Sequence, residues 1–108
     1  MEPRSLTTLI EDQLTTARAD DSRRTVTTLH AGAHLHQVLV VLAEDGRLPD
    51  HTPPGDTTLF LVRGSITFST QEASVELTEG DLMDLPDELH NVAAHTDSAF
   101  ILSFAPRG

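Results

Sequence analysis

The chain has 108 residues, enough for one hydrophobic core and too few for two independently stable domains. Its 17 acidic residues against 7 basic ones give a formal charge of −10, a field that repels phosphate backbones and anionic bilayers, so neither nucleic acid nor a membrane is an expected partner. Cys, Lys, Trp and Tyr are absent, which excludes thiol catalysis, disulfides, Schiff bases and phenolic acids and leaves six histidines, the carboxylates and the hydroxyls to carry any chemistry.

The start, MEPRSLTTLIEDQ, is polar and acidic where a secretory signal is basic and then apolar, and no run approaches the roughly 18 to 20 apolar residues of a membrane span. A soluble, cytoplasmic protein is therefore expected. From Ser5 onward, Leu6, Leu9, Ile10, Gln13, Leu14 and Ala17 share one helical face with Ser5 as N-cap, so a helix is predicted over residues 5 to 19. The charged segment ARADDSRR connects it to β-rich sequence, dividing the chain into a helix and connection (1–24) and a barrel domain (25–108).

Short apolar or alternating runs then recur: RTVTTLH, LHQVLVVLA, TTLFLV, SITFST, SVELT, LMDLP, NVAA and AFILSF. Their separators, among them EDGR, PDHTPPGD, RGS and TEGD, carry the Gly, Pro and Asp residues with which chains reverse. About eight strands at this spacing predict an all-β closed barrel or sandwich. In SITFST, Ile66 and Phe68 share one face and Ser65, Thr67 and Ser69 the other, as in a half-buried antiparallel strand, whereas VLVVLA is apolar on both faces and should lie deeper. Expected interior residues are Leu59, Leu61, Ile66, Phe68, Val75, Leu77, Leu82, Leu85, Val92, Phe100, Leu102 and Phe104. Apolar side chains left facing outward require cover by the helix or a second subunit, so a homodimer packed through a sheet face is expected.

Two stretches resemble the motifs of the cupins. The first cupin motif runs Gly, five residues, His-x-His, three or four residues, Glu, six residues, Gly; here Gly46 is followed after four residues by His51, with Pro53 at the second His position, Thr57 at the Glu position and Gly64 closing. The second motif has its Gly at Gly80, its Pro at Pro86 and its His at His90, one residue early, with Glu88 in place of Gly and Ala94 near the Asn position. The resemblance covers about residues 35 to 105. It implies a single double-stranded β-helix (jelly-roll) barrel, preceded here by one helix, and a site in the barrel mouth. In metal-binding cupins three histidines and a glutamate converge there on iron, manganese, nickel, zinc or copper. Matched position by position, only His51 and His90 carry over.

Two imidazoles fall short of the three or four protein ligands of a tight zinc site and of the two-histidine, one-carboxylate set of non-haem iron, so a divalent metal needs a third donor. Asp56 neighbours Thr57, but strand alternation turns it outward if Thr57 faces in; His36 shares its parity with Val38, Val40 and Leu42 and is a second candidate. His34 competes with it for an inward position. His30 is read as a turn residue and His95 as facing away from His90, both on the surface. Pro53 and Pro54 stiffen the turn after His51, and Thr57 offers a hydroxyl that orients a ligand oxygen but supplies little ligand strength.

Three functions follow. The first is a small cupin of no single implied reaction that binds a small organic molecule in a pocket lined by His51, Pro53, Thr57 and His90. The second is a metal-dependent oxygenase or isomerase using His51 and His90 with Asp56 or His36. The third is a non-enzymatic structural or regulatory module, which would present the helix face of Leu6, Leu9, Ile10 and Leu14 to a partner.

Overall fold

The computed structural model describes residues 1 to 107. One helix, α1 (Leu6–Ala19), precedes nine strands: β1 (Arg24–Ala31), β2 (His36–Leu42), β3 (Arg47–His51), β4 (Gly55–Arg63), β5 (Ser65–Ser69), β6 (Ser74–Thr78), β7 (Leu82–Asp84), β8 (His90–Ala94) and β9 (Ser98–Pro106). They form a five-stranded sheet ordered β1-β2-β9-β4-β7 and a four-stranded sheet ordered β3-β8-β5-β6. All the pairings are antiparallel.

The inner faces meet in one apolar core of Val40, Leu42, Leu59, Leu61, Ile66, Phe68, Leu77, Val92, Phe100 and Leu102 with Ala94. Alternation accounts for β4, where Thr57, Leu59 and Leu61 are buried while Asp56 and Phe60 are exposed. The five-stranded sheet needs cover on its other face as well, because Leu39, Val41 and Ala99 point away from the barrel. The helix supplies that cover with Ile10, Leu14 and Ala17, and Leu6 and Leu9 pack at the margin.

Ser5 caps this helix, its hydroxyl accepting from the Thr8 N–H at 3.2 Å. At its other end Arg18 pairs with Asp97, whose carboxylate also accepts from the Glu44 N–H at 2.8 Å. The helix face that a partner would have used is thus occupied by the protein's own sheet, and the structural-module reading loses the feature that motivated it.

Three sequence expectations are corrected. β3 was expected to be part of the turn separators; Pro49 and Asp50 are poor strand formers, but β3 lies at a sheet edge, where an unpaired N–H position tolerates proline. His30 lies in β1, not in a turn, although it is exposed as expected. Val75 and Leu82, expected inside, are 44% and 67% exposed: Val75 lies on the edge strand β6, which the opposite sheet does not fully cover, and Leu82 pairs with Phe60 on the outer face of the five-stranded sheet.

Candidate functional site

His51 ends β3 and His90 begins β8, and the two are paired across the ladder. On a regular strand Leu48 and His51, three residues apart, would face opposite ways. The register shift between them absorbs one residue, so Leu48 stays opposite buried Val92 while His51 turns to the same side as His90. Such a bulge is a common means of re-aiming a side chain, and here it brings the rings to a centroid separation of 4.2 Å at 64°.

Each ring is held in the same manner. Nδ1 of His51 lies 3.0 Å from the carbonyl of Pro49, and Nδ1 of His90 lies 3.1 Å from the carbonyl of Glu88. A carbonyl only accepts, so each Nδ1 carries a proton, and in the neutral form of either ring the lone pair is on Nε2. The pair therefore presents two oriented acceptors. The other face of the arrangement is aromatic: the Phe68 ring stacks on His90 at 4.7 Å and 29°.

His90 is 2% exposed. Burial is the main force pushing its imidazole below the ordinary value, and nearby His51 adds to this, while the Glu88 carbonyl and Asp50 oppose it. The ring is accordingly neutral at pH 7. A base whose folded value is depressed takes up its proton more readily in the unfolded chain, so stability is lost as pH falls from about 6.5 toward the folded value. We expect the unfolding midpoint, followed by circular dichroism, to fall between pH 7 and pH 5 more steeply in the wild type than in His90→Gln. Equal slopes would show that His90 is not buried in its neutral form. Asp97, which Arg18 holds below the usual carboxylate range, acts in a separate window, losing its contribution as pH falls below about 4.

The remaining candidates are distributed around this pair. Pro53 is buried, and Thr57, 7% exposed, faces inward from the other sheet with its hydroxyl donating to the Gly55 carbonyl at 2.8 Å. Its oxygen can still accept, but its proton is committed. Asp56 is exposed on the outer face opposite Ala105. His36 is cross-strand partner to Phe104 and stacks on that ring at 5.4 Å, on the five-stranded sheet. His34 is exposed, and His95 is exposed against Thr67, at 2.6 Å.

Among the described residues no group of three or more His, Asp or Glu side chains is gathered so as to hold a metal ion. Two Nε2 acceptors with Thr57 where a carboxylate would be needed do not fit the divalent metal that the cupin resemblance implies, and no chemical step is derived through one.

The sequence alone places Phe68 in the interior and Glu88 at the glycine position of the second motif. In the structure both line a predominantly apolar cavity of about 220 Å³, together with Thr70, Val75, Met83 and Pro86. Phe68 both lines this cavity and stacks on His90. Its inward parity in SITFST was legible; the pairing of β5 with β8, which sets it against His90, is a long-range contact that no local pattern reports. The deeper barrel is filled by its own side chains, with Leu59, Leu61, Ile66 and Phe100 all 0% exposed.

No family model matches the sequence, and no curated protein matches it closely enough to be counted. Solved structures do match the fold. A cupin superfamily protein from Desulfitobacterium hafniense superposes with a TM-score of 0.79 at 17% identity, covering 98% of this chain and 92% of its own. An RmlC-like cupin from Desulfovibrio desulfuricans gives 0.77 at 23% identity, over 98% and 97%. KdgF from Halomonas sp. gives 0.69 at 22% identity, over 79% and 80%. Identities this low carry the architecture and not the activity.

Proposed function

Since the chain has the cupin fold, we propose that it is a small single-domain cupin that binds a small, neutral, single-ring organic molecule at the barrel mouth, on Phe68 and beside His51 and His90. The observation that carries this reading is a buried histidine, neutral at pH 7 with Nε2 available, stacked on the aromatic wall of an apolar cavity. Apolar cavities with a few convergent polar groups are the usual form of a small-molecule site. At about 220 Å³ this one is below the common range of about 300 to 1,000 Å³, and an apolar cavity of about 150 Å³ already admits benzene, so one ring is the size it suits.

Charge selects within that size. Glu88 lines the cavity, Asp50 acts on His90, and the chain carries a net −10, so an anionic ligand meets repulsion that a neutral one does not. The ligand's ring would rest on Phe68 and its hydroxyl would donate to an imidazole Nε2. A thermal-shift series tests this: phenol should raise the unfolding temperature and benzoate should not, and saturation at 100 times Kd would stabilise by about 2.7 kcal/mol. No shift with neutral rings, or an equal shift in His90→Ala, would remove the reading.

The proposal includes a homodimer. On the outer face of the five-stranded sheet Phe60 and Leu82 are 39% and 67% exposed, adjacent across the β4–β7 ladder and outside the buried cluster beneath the helix. A second copy would cover them. Sedimentation should give the mass of two chains, and Leu82→Glu should return the mass of one; a monomeric wild type at working concentration would refute it.

A further inference from the structure

We propose that Arg107 is the positioning residue of the histidine pair, a clasp that joins the turn after His51 to the turn before His90. The proposal rests on the reading of that pair as a ligand site. Both turns cross from one sheet to the other: residues 52 to 54 lead from β3 to β4, and residues 85 to 89 lead from β7 to β8. Each therefore leaves the support of its ladder next to a histidine. Pro53 and Pro54 compound this, because they have carbonyl acceptors but no N–H with which to extend the pairing beyond His51.

Arg107 supplies the missing donors. The β4–β9 register sets Gly55 opposite Pro106, so the end of β9 runs directly beside the proline turn. The backbone N–H of Arg107 donates to the Pro54 carbonyl at 3.0 Å, and its guanidinium donates to the Pro53 carbonyl at 3.3 Å. The same guanidinium reaches Asp87 Oδ2 at 2.7 Å. Asp87 precedes His90 by three residues, and Pro53 follows His51 by two. One side chain thus spans both crossings, and a rigid planar fork with several donors is suited to holding two acceptors at a fixed separation.

The bulge in β3 makes that restraint matter. Between the Leu48–Val92 pair and the His51–His90 pair the ladder is interrupted, so the histidines are held from one side by irregular pairing and from the other by the clasp. Exposed ion pairs add little to global stability, and Arg107 and Asp87 are 58% and 70% exposed. Loss of the clasp should therefore move the rings without unfolding the barrel.

The test is the proton cross-relaxation between the His51 and His90 rings, measured by NMR in the wild type, Arg107→Ala, Arg107→Lys and Asp87→Asn, with the unfolding midpoint of each followed by circular dichroism. The cross-peak should weaken severalfold in Arg107→Ala with little change in midpoint, and to a lesser degree in Asp87→Asn. Arg107→Lys should restore part of it, since one ammonium satisfies one turn at a time. An unchanged cross-peak in both Arg107→Ala and Asp87→Asn would overturn the clasp. This readout needs no ligand, so failure of wild-type protein to bind phenol would count against the proposed function alone.

Discussion

Replacing Phe100 with alanine is expected to cost about 3 to 5 kcal/mol, the usual range for deleting a fully buried aromatic ring. Phe100 is 0% exposed in the first half of β9, between Val40 on β2 and Leu61 on β4. Its ring is thus enclosed by the five-stranded sheet and the opposing one. A domain of this size has only about 5 to 15 kcal/mol in total, so the variant should unfold at much lower denaturant concentration or fail to fold at 37 °C. Circular dichroism in a urea titration reads the loss, which suits a chain without Trp or Tyr. The milder Phe100→Leu keeps the measurement within range. A loss below about 1 kcal/mol in Phe100→Ala would mean a loosely packed interior, and would return the deep barrel to consideration as ligand space.

Gly55→Ala is expected to destabilise by about 3 kcal/mol although the same exchange at an unstrained site stabilises by about 0.4 to 1 kcal/mol through the unfolded chain. A Cβ at Gly55 would sit 2.0 Å from the Ala105 carbonyl oxygen, 3.0 Å from its carbon and 3.2 Å from the Arg107 nitrogen. All three are backbone atoms, which cannot swing aside, so steric overlap outweighs the entropic gain. β4 and the end of β9 must part, carrying with them the proline turn that follows His51. The urea midpoint should fall, and the Arg107 amide, freed from Pro54, should exchange with solvent faster. A neutral or stabilised Gly55→Ala would show that these strands do not approach as closely as described.

What the sequence disclosed follows from the range of each interaction. The helix was legible because its apolar face repeats within 14 residues and Ser5 marks its start. β2 was legible as a doubly buried strand because VLVVLA is apolar on both faces, one for the barrel and one for the helix. β3 was not, because local propensity argues against Pro49 and Asp50 and the edge position that tolerates them is a property of the whole sheet. Val75 misled for the same reason, as alternation gives a face but not how far the opposite sheet extends, and Leu82 because the face of a three-residue strand is set by its pairing with Phe60.

The site divides along the same line. Motif spacing singled out His51 and His90, and the structure places those two rings together. Spacing did not indicate the bulge that aims His51, the stacking of Phe68, or the reach of Arg107 across two turns, because each depends on residues about 20 to 54 apart in the chain. Pro53 and Thr57, at the positions of two cupin ligands, form a buried corner and an inward hydroxyl, which is why the mouth holds two acceptors and not a metal-ligand set.

The central claim, that this mouth receives a neutral ring, is tested most directly by titrating isotope-labelled protein with phenol at pH 7 and mapping the NMR shifts. The account predicts saturable changes confined to Phe68, Thr70, Val75, Met83, Glu88 and the His90 ring, lost in His90→Ala and absent when benzoate replaces phenol. Shifts that never saturate, or that map to the outer sheet faces with His90 unaffected, would contradict it.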